Sequence, residues 1–363
     1  MKILHLLAAG GVGGIETLCK DISATDIVEN HFIFVWKGGD TADEMMHSST
    51  NTIVLGHSKR AVIKSYRAIS DYIVKNKIDA VIVHHEAPVL WLYLQMFHRH
   101  FKKIKTVVYI HAHLNDILKP EKKKTHAIRA AILKSTAKKC DYVIAVSDMV
   151  KKSLVEAGFR ESNIRKVYNG TNLKKFCTQK RKDRGERTSF IFVGRLIKEK
   201  GVQNILEAVS MLDRDSISSR IHIDIVGDGP YADALKDTCR NLQLGDCIAF
   251  CGRQSDIPER LAKADFFIHL PEWEEGFGIN LIEAMAAGLP CVVFDRGAMG
   301  ELVENGKNGF LIKPEVAKAS EAIQYIISDM SDEEYRKMSE YASICSRQFS
   351  IENCVSQIRD ILS

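Results

Sequence analysis

The stretch with the clearest chemical content is PEWEEGFGINLIEAMAAGLP, residues Pro271 to Pro290, in which seven residues separate Glu275 from Glu283. A glycine-containing turn begins directly after Glu275, and an apolar pattern of helical period surrounds Glu283. Two carboxylates at this spacing could form an acid and base pair, the two ends of a binding site, or the polar face of a helix. The stretch by itself leaves all three interpretations open.

Two other loops carry groups suited to binding an anion. In AAGGVGGIE, Gly13 and Gly14 open a helix after the first strand, and they expose backbone N–H groups at the positive end of the helix dipole. In VGRLIKEKG, Arg195 and Lys200 lie between a strand and the next helix. A guanidinium fork and a movable ammonium group can together neutralise a diphosphate. Each loop taken singly is also typical of a tight turn or of solvated cations.

A dinucleotide-binding oxidoreductase is the first class that the glycine loop suggests. Its G-x-G-x-x-G fingerprint, counted from Gly11, places the third glycine where the chain has Glu16. The second apolar strand, HFIFVW, ends in Lys37 rather than in an acid that could bind a ribose. The sequence therefore argues against dinucleotide binding.

The elements that must position these residues alternate between apolar strands and segments of helical period, which predicts an α/β fold with parallel sheets. Near-continuous apolar strands of this kind need both faces covered, so we expect two Rossmann-like doubly wound domains facing across a cleft. A charged stretch over 177–189 marks the boundary, and the predicted domains are 1–180 and 181–363. The last helix is expected to pack back toward the N-terminal domain. The predicted strands are KILHLLA, HFIFVW, NTIVL, DAVIVH, KTVVYIH and DYVIAVS, then SFIFVG, IHIDIVG, CIAFCG, DFFIHL and PCVVFD.

Four segments taken together resemble a known family. AAGGVGGIE, VGRLIKEKG, IVGDGP and EGFGINLIEAMAAGLPCVVFD, in this order, are similar to the retaining GT-B glycosyltransferases of family four, also called glycosyl transferases group 1. The resemblance covers nearly the whole chain and includes VYNGTNLKKF, which is similar to the family's N-G-V-D segment. Its most specific part is the E-x7-E block together with G-R-L…K-G. The resemblance implies a nucleotide-sugar donor, with UDP as the expected nucleotide, and a glycan acceptor. It also implies the GT-B fold, with 1–180 as the acceptor-side domain and 181–363 as the donor domain.

The resemblance also implies roles for the donor-side residues. Arg195 and Lys200 would hold the donor diphosphate, Glu275 would lie beside the sugar ring, and Glu283 would bind the ribose hydroxyls. Backbone N–H groups at the start of the helix would meet the sugar and the phosphates. These groups belong to Gly276, Phe277, Gly278 and Ile279.

On the acceptor side, the resemblance assigns a role to a histidine that follows a strand. His111 in VYIHAHLND matches the family's histidine over the transferred sugar, so it joins Glu275 as an expected catalytic residue. Gly13 and Gly14 match the loop near the phosphate and the acceptor. His113 is a rival for the role of His111, and a strand-end histidine bonded to its own loop is the structural alternative for either. Ser147 in VIAVSDMV is a further candidate for a polar contact.

The sequence departs from the family pattern at one place. Pro271 is followed by Glu272, where relatives commonly have serine, and Glu274 adds a second acid to the turn. Asp213 and Asp215 form a D-x-D string, but they lie in a polar link and are expected to be solvated. We therefore expect no obligatory metal and no other cofactor, because the cations named above can stabilise the leaving group.

Several mechanisms and rival functions follow from these residues. The family mechanism implied is same-face attack, in which a donor phosphate oxygen takes the acceptor's proton and no protein nucleophile is needed. A glycosidase would hold its carboxylates about 5 to 9.5 Å apart, whereas eight residues of helix rise about 12 Å. The glutamate pair is thus better suited to the two ends of one ligand. A GT-B epimerase or phosphorylase is the alternative enzyme, and a two-domain sugar-binding protein is the alternative without catalysis.

Charge is distributed unevenly along the chain. Residues 1–180 contain 29 Lys and Arg against 16 Asp and Glu, while the remainder contains 22 against 30. The excess is concentrated in 98–139, with 12 basic and 2 acidic residues, just after the apolar run VLWLYLQMF. We hypothesise that this region docks on an anionic membrane surface, so that the acceptor is a lipid-linked glycan of capsule, exopolysaccharide or lipopolysaccharide synthesis. A solvated basic face over an ordinary core helix is the alternative, and nucleic acid is not expected because no recognition motif accompanies the charge.

Cysteine usage and hydropathy bear on the cellular compartment. The nine cysteines are odd in number and form no C-x-x-C pair, which is typical of reduced thiols. The apolar start MKILHLLAAGGVGG is better explained as a strand entering a glycine loop than as a signal peptide, and no apolar run reaches 18 residues. We expect a cytoplasmic enzyme, attached peripherally at the inner face of the membrane if the docking hypothesis holds.

Overall fold

The computed structural model divides the chain into two compact units. Unit 1 comprises Met1–Thr171 and Ile351–Ser363, and unit 2 comprises Asn172–Ser350. The boundary that the sequence predicts near residue 180 lies outside the described residues. The structure describes residues 1–49, 51–84, 87–118, 123–177, 184–185, 187–213 and 219–363.

Unit 1 is built on a parallel sheet that has seven strands within the described part of the chain. Their order is β3-β2-β1-β4-β5-β6-β7, so the chain starts in the middle of the sheet, moves to one edge and then fills the other side. The strands are β1 (Lys2–Ala9), β2 (Glu29–Lys37), β3 (Thr52–Val54), β4 (Ala80–Val83), β5 (Lys105–Ile110), β6 (Tyr142–Ala145) and β7 (Ile164–Lys166).

The helices of unit 1 connect these strands, and one helix comes from the end of the sequence. They are α1 (Gly14–Ser23), α2 (Asp40–Ser48), α3 (Val62–Asn76), α4 (Pro88–His100), α5 (Leu114–Leu118), α6 (Lys123–Lys139) and α7 (Asp148–Glu156). The last helix, which we label α15 (Ile351–Leu362), belongs to this unit and packs against α1.

Unit 2 repeats the strand order with six parallel strands among the described residues. The order is β10-β9-β8-β11-β12-β13. The strands are β8 (Thr188–Val193), β9 (Ile221–Val226), β10 (Ile248–Gly252), β11 (Phe266–His269), β12 (Cys291–Phe294) and β13 (Gly309–Ile312). The helices are α8 (Val202–Ser210), α9 (Ala232–Asn241), α10 (Ile257–Lys263), α11 (Ile279–Ala286), α12 (Met299–Leu302), α13 (Val316–Ser328) and α14 (Asp332–Ser346).

The burial of the strands explains why both sheets are parallel and covered on two sides. Every residue of β4, AVIV, and of β12, CVVF, is buried, which requires helices against both faces of the sheet. The strand pairs recorded in both sheets are parallel. The predicted α/β class with two Rossmann-like doubly wound sheets is confirmed.

All eleven predicted strands are present, and two short edge strands were missed. β7 has three residues, two of them charged, and β13 has four residues beginning with glycine. Edge strands need less apolar surface because one side lacks a neighbouring strand, so an apolar run is a weak signal for them. Both strands extend a sheet without altering the loops that carry the predicted site.

Two further features of the described residues concern helix hydropathy and the cysteines. No helix in the described ranges has the length and hydropathy needed to cross a bilayer. All nine cysteines are unpaired thiols, and six of them are buried.

Candidate active site

The loops that follow β8 and β11 are held together by backbone contacts. Glu272 N donates to the carbonyl of Glu199 at 2.9 Å, and the side-chain amide of Asn204 donates to the carbonyl of Leu270 at 2.9 Å. Gly201 has φ of +73°, and a Cβ there would lie 1.7 Å from the Leu270 oxygen. Only glycine fits this position, since any side chain would push the two loops apart.

This loop contact brings together the two residues that the sequence placed at the donor phosphate and the sugar. Lys200 Nζ donates to Glu275 Oε2 at 2.6 Å, and the two side chains are only 17% and 12% exposed. Trp273 Nε1 donates to the same oxygen at 3.1 Å, and His269 Nε2 lies 3.4 Å from it. The ammonium group also lies over the Trp273 ring, 5.1 Å from its centroid. Glu275 is therefore the centre of a small polar cluster.

The cluster sets the protonation states of its members. Burial raises the pKa of the Glu275 carboxyl, but the charge of Lys200 and the contact with His269 outweigh burial and hold that pKa well below its usual range. Burial lowers the pKa of His269, and its hydrogen bond to Glu275 offsets this only in part. At neutral pH the Glu275 side chain is therefore a carboxylate and the His269 side chain a neutral imidazole. The Nδ1 atom of His269 has no hydrogen-bond partner among the described residues.

A third loop, after β12, fixes the backbone of Glu275. Ala298 N donates to the Glu275 carbonyl at 2.8 Å, and Gly297 N donates to Glu274 Oε2 at 2.6 Å. Gly297 has φ of +62°, and a Cβ there would lie 2.3 Å from the Glu275 oxygen. One of the two extra acids of the turn thus has a structural use, because Glu274 accepts a backbone hydrogen bond. The other, Glu272, is exposed, and its Oε1 accepts from Gln203 at 3.3 Å.

The glycine turn after Glu275 leads directly into α11. Gly278 has φ of +96° and immediately precedes the first helical residue, Ile279. Gly276 and Phe277 are buried, and the Phe277 ring meets Phe349 edge to face at 5.7 Å. These residues bring backbone N–H groups to the positive end of the helix, where an anion or a hydroxyl group can bind.

The remaining donor-side candidates lie on the same elements. Glu283 is half-buried on α11, four residues after the first helical residue. Asn280 on α11 donates to the carbonyl of Val193 at 2.7 Å, which ties the helix to the end of β8. Arg195 follows two residues later and is exposed. Its guanidinium makes no hydrogen bond or ion pair to any residue that the structure describes.

The acceptor-side candidates lie in unit 1. Gly13 immediately precedes α1, and Gly14 is its first residue. The Glu16 carboxylate lies beside this turn, since a Cβ on Gly13 would be 2.5 Å from Glu16 Oε2. His111 directly follows β5, and its ring lies 4.2 Å from that of Tyr109, centroid to centroid.

His113 and Ser147, the two other candidates of unit 1, form hydrogen bonds with nearby backbone groups. His113 Nδ1 accepts from the backbone N of Asn115 at 3.2 Å, so His113 bonds to its own loop. Ser147 is buried before α7, and its Oγ accepts from Val150 N at 3.2 Å as a helix cap. These contacts account for both residues without a ligand.

Of the D-x-D pair, Asp213 is exposed and Asp215 lies outside the described residues. No three His, Cys, Asp or Glu side chains in the described ranges are grouped to hold a metal ion.

Sequence reasoning missed several polar residues that the structure brings to these sites. In unit 2 they are His269 and Trp273, both in contact with Glu275. In unit 1, His84 lies next to His111, with His84 Nδ1 3.2 Å from His111 Nε2. One signal was available, because His269 and His84 are polar residues at the ends of otherwise apolar strand patterns, DFFIHL and DAVIVH.

Comparison with solved structures shows which fold the chain has. A structure of HepE from Anabaena in complex with UDP matches this chain with a TM-score of 0.82 at 22% identity, covering 100% of this chain and 99% of that one. Structures of HepE have also been solved with UDP and glucose and with UDP-glucose. The fold is that of the GT-B glycosyltransferases, and the predicted GT-B class is confirmed.

The chain belongs to the group 1, family-four type of glycosyltransferases. The family model described as "Glycosyl transferases group 1" matches residues 174–344, and the model "Glycosyltransferase Family 4" matches residues 12–175. N-acetyl-alpha-D-glucosaminyl L-malate synthase of Bacillus anthracis is 29% identical over 299 residues, which are 79% of this chain and 75% of that protein. Lipopolysaccharide 1,6-galactosyltransferase of Escherichia coli is 26% identical over 329 residues, 86% of this chain and 85% of that protein. The protein is a glycosyltransferase, as the sequence predicted.

Proposed function

We propose that the protein transfers a sugar from a UDP-sugar to a glycan acceptor with retention of the anomeric configuration. The observation that carries the proposal is the buried contact between Lys200 and Glu275, at the start of the turn that leads into α11. The binding of UDP and UDP-glucose by HepE, a protein of the same fold, supports UDP as the nucleotide. The galactosyltransferase among the relatives supports a glycan acceptor.

Lys200 suits the leaving group because its charge is already in place. Glu275 and Trp273 hold its ammonium group in a fixed position, so little rearrangement is needed when a diphosphate binds. Arg195, exposed two residues after β8, supplies a second cation of the kind that binds two phosphate oxygens at once. With these two cations and the helix end, we propose that the leaving UDP is stabilised without an obligatory metal ion.

Glu275 suits the sugar because it stays ionised. A carboxylate whose pKa is held below its usual range accepts hydrogen bonds from hydroxyl groups and does not act as a general acid at neutral pH. We assign Glu275 to the sugar hydroxyls and the half-buried Glu283 to the ribose. The backbone N–H groups of 276–279 are assigned to the sugar and the phosphates.

The remaining roles are assigned to unit 1. We propose that His111 contacts the transferred sugar and that the turn at Gly13 and Gly14 binds near the phosphate and the acceptor. In same-face attack a donor phosphate oxygen takes the proton of the acceptor hydroxyl, so no protein nucleophile is required. Positive charge builds on the sugar while the phosphate leaves, which explains the need for a fixed carboxylate beside the ring.

A thermal-shift panel tests the donor assignment. UDP, GDP, ADP and CDP are added to the wild-type protein, followed by the sugars of whichever nucleotide raises Tm most. UDP is expected to stabilise the protein most, since a ligand that binds only the folded state raises its stability by mass action. Glu275→Ala should lose the additional shift due to the sugar. Glu272→Ala, which removes an exposed acid of the same turn, is the matched control and should keep it. A protein that no nucleotide stabilises would contradict the proposal.

The stereochemistry and the reaction class have their own tests. With the identified donor and an accepted glycan, ¹H NMR of the product should show the anomeric configuration of the donor, and the opposite configuration would refute retention. The donor should also be incubated alone and with inorganic phosphate. Inversion at C2 without an acceptor would indicate an epimerase instead, and phosphate-dependent cleavage would indicate a phosphorylase.

We further propose that the acceptor is a lipid-linked glycan at an anionic membrane, as in the synthesis of bacterial surface polysaccharides. Helices α4 and α6 pack together in unit 1, and both lie in or next to the basic region 98–139. Leu92, Met96 and Ile128 on these helices are exposed. Exposed apolar groups beside cationic residues are the combination that binds the interface of an anionic bilayer. This placement corresponds to a cytoplasmic protein attached to the inner face of the membrane.

Vesicle co-sedimentation tests the membrane proposal. Binding should require anionic lipid, weaken with added salt, and fall in the variant Leu92→Ser/Met96→Ser. A matched control is Met211→Ser, which removes an exposed apolar side chain of unit 2. Binding that is indifferent to both anionic lipid and salt would refute the proposal.

A further inference from the structure

Three side-chain donors of unit 2 converge on one oxygen of the Glu275 carboxylate. Lys200 Nζ donates to Oε2 at 2.6 Å, Trp273 Nε1 donates to it at 3.1 Å, and His269 Nε2 lies 3.4 Å from it. The other oxygen, Oε1, accepts no hydrogen bond from any residue that the structure describes. The two oxygens of this carboxylate therefore have different surroundings.

The carboxylate oxygen without a protein partner is accessible to a ligand. The Glu275 side chain is 12% exposed, and Oε1 does not belong to the buried polar atoms that lack a partner, as His269 Nδ1 does. The exposed part of the side chain thus includes Oε1. A carboxylate oxygen offers about two lone-pair sites, so three donors leave Oε2 no room for another. A further hydroxyl group can therefore bind only at Oε1.

Lys200 has donors to spare for a second anion. Its ammonium group has three N–H bonds, Glu275 accepts one of them, and no other described residue accepts from Nζ. A diphosphate can therefore bind the same cation. A phosphate oxygen then competes with Oε2 for the positive charge of Lys200, and the contact with Oε2 weakens. To stay in place, the carboxylate needs donors that the diphosphate does not take.

Trp273 is the stronger of the two uncharged donors. Its indole has a single N–H bond, which the Glu275 carboxylate accepts at an ordinary distance of 3.1 Å. The face of the same ring lies under the Lys200 ammonium group, 5.1 Å from its centroid. The half-buried ring thus contacts both members of the ion pair, and these two contacts fix its orientation.

His269 is the second uncharged donor, and its surroundings keep one proton on the ring. The side chain is 0% exposed, and its ring lies 5.8 Å from that of Phe192 and 6.5 Å from that of Phe267, centroid to centroid. A proton on Nδ1 would be a buried N–H without an acceptor among the described residues, which is costly. The single proton therefore lies on Nε2, facing Glu275. At 3.4 Å this hydrogen bond is longer and weaker than that of Trp273.

We propose that Trp273 and His269 are positioning residues for the donor sugar and that they act through Glu275. They hold Oε2 in place while Lys200 binds the diphosphate, and they thereby keep Oε1 available to a hydroxyl group of the sugar. The inference rests on the proposed function, in which Glu275 binds the sugar. It adds that one oxygen of the carboxylate binds the sugar and that the other is held by the protein. Neither Trp273 nor His269 donates to the nucleotide.

The contact between Trp273 and Glu275 can be measured without any ligand. The chain has three tryptophans, so ¹H–¹⁵N correlation spectra should contain three indole resonances, and Trp273→Phe identifies one of them by its loss. Glu275→Ala should move the Trp273 indole proton resonance upfield, because the N–H loses a charged acceptor. Glu272→Ala removes an exposed acid of the same turn and should leave the resonance in place. Equal shifts in the two alanine variants would overturn the proposal.

The positioning role of Trp273 is tested by comparing UDP with a UDP-sugar in calorimetric titrations. The sugar is whichever of UDP-glucose, UDP-galactose and UDP-N-acetylglucosamine raises Tm most. Trp273→Phe keeps a ring under Lys200 and removes the N–H, so UDP should bind as it does in the wild type. The additional affinity due to the sugar should fall about threefold to tenfold, the effect of one hydrogen bond. Equal weakening of UDP and the UDP-sugar would refute the role.

Two variants of His269 test the second donor. His269→Leu has no donor, whereas His269→Gln places an amide N–H near the position of Nε2. The additional affinity due to the sugar should fall about twofold to threefold in the Leu variant, less than in Trp273→Phe because the contact is longer, and the Gln variant should restore most of it. UDP binding, which should be unchanged in both variants, shows that each is folded. Equal sugar affinities of the Leu and Gln variants would refute the role of His269.

These measurements separate a failure of the positioning role from a failure of the proposed function. If the indole resonance responds to Glu275→Ala but the wild type binds no UDP-sugar more tightly than UDP, the assignment of Glu275 to the sugar fails, and the contact with Trp273 stands. If the wild type binds a UDP-sugar more tightly than UDP and Trp273→Phe keeps this difference in full, the positioning role fails and the proposed function stands.

Discussion

The strands β4 and β11 hold the same place in their two sheets, and each ends at a fully buried histidine with different surroundings. Both strands lie beside the first strand of their unit, and His84 and His269 are each 0% exposed. His84 lies between two other imidazoles. His269 instead faces the carboxylate of Glu275, which is paired with Lys200.

The fold determines where these polar residues lie, and the neighbouring side chains determine the charge around them. The strand order brings polar residues to the same edge of each sheet, because parallel strands end together. The side chains around them then set the charge. Unit 2 has an ion pair beside its buried histidine, whereas the buried histidine of unit 1 contacts two further imidazoles. Each of the following predictions tests one side of this difference.

The largest effect is expected from removing the charges of unit 2. Lys200→Met or Glu275→Ala should lower kcat by about 10²–10³-fold, the usual loss when a preorganised charge at the reacting centre is deleted. His84→Phe, which removes the contacts of His84 with His5 and His111 in unit 1, should lower kcat by only about fivefold to tenfold. Steady-state kinetics on the same donor measure both. Comparable losses for the two units would contradict the distinction.

The loop contact that assembles the charged cluster should be the next most sensitive feature. Gly201→Ala places a Cβ 1.7 Å from a backbone oxygen, and it should cost about 3 kcal/mol or more in unfolding free energy. Gly306 has nearly the same φ, +76°, with nothing within 4 Å of a Cβ, so Gly306→Ala should cost only about 1 kcal/mol. Urea denaturation of the pair isolates the steric effect, and equal costs would show that the close approach does not matter.

The ion pair itself should behave as a mutually dependent unit. Glu275→Gln and Lys200→Met each leave a partly buried charge without its partner and should each destabilise by about 3 kcal/mol, while the double variant should lose less than the sum. The pKa of Glu275 is lowered in the folded chain, so this coupling is complete above the unfolded pKa near 4.5 and is lost as the pH falls further. Additive losses at neutral pH would show that the two side chains do not stabilise one another.

The folding stability of unit 1 should depend on pH through His5, which is buried and neutral. His5 titrates near 4 when folded and near 6.5 when unfolded, so the unfolded chain takes up a proton first as the pH falls. The contribution of His5 to folding stability is therefore constant above pH 6.5, and it falls by about 3 kcal/mol between pH 6.5 and 4. His5→Gln should remove this part of the decline, measured as the difference between the two denaturation curves across that range. A constant difference would contradict a neutral His5.

The sequence predicted the strands and the loops that carry the candidate residues better than it predicted the contacts between those residues. Apolar runs identified eleven strands, and the loops after β8 and β11 were correctly located because they follow such runs. The pairing of Lys200 with Glu275 joins residues 75 apart, and the contacts that link Asn30, His5, His84 and His111 connect four neighbouring strands or the residues directly after them. These contacts depend on strand order and register, which no local pattern encodes. The close packing of Gly201 against Leu270 could not be foreseen from the loop sequence alone.

The most direct test of the account is calorimetric titration of UDP and of the best UDP-sugar into the wild type and Glu275→Ala. In the proposed function, Glu275 binds the sugar and Lys200 binds the diphosphate. UDP should therefore bind the variant at least as tightly as it binds the wild type, because Lys200 is released from its carboxylate partner. The UDP-sugar should lose whatever affinity it has beyond UDP. Equal weakening of UDP and the UDP-sugar, or no binding of either to the wild type, would contradict the central claim that this cluster holds a nucleotide sugar.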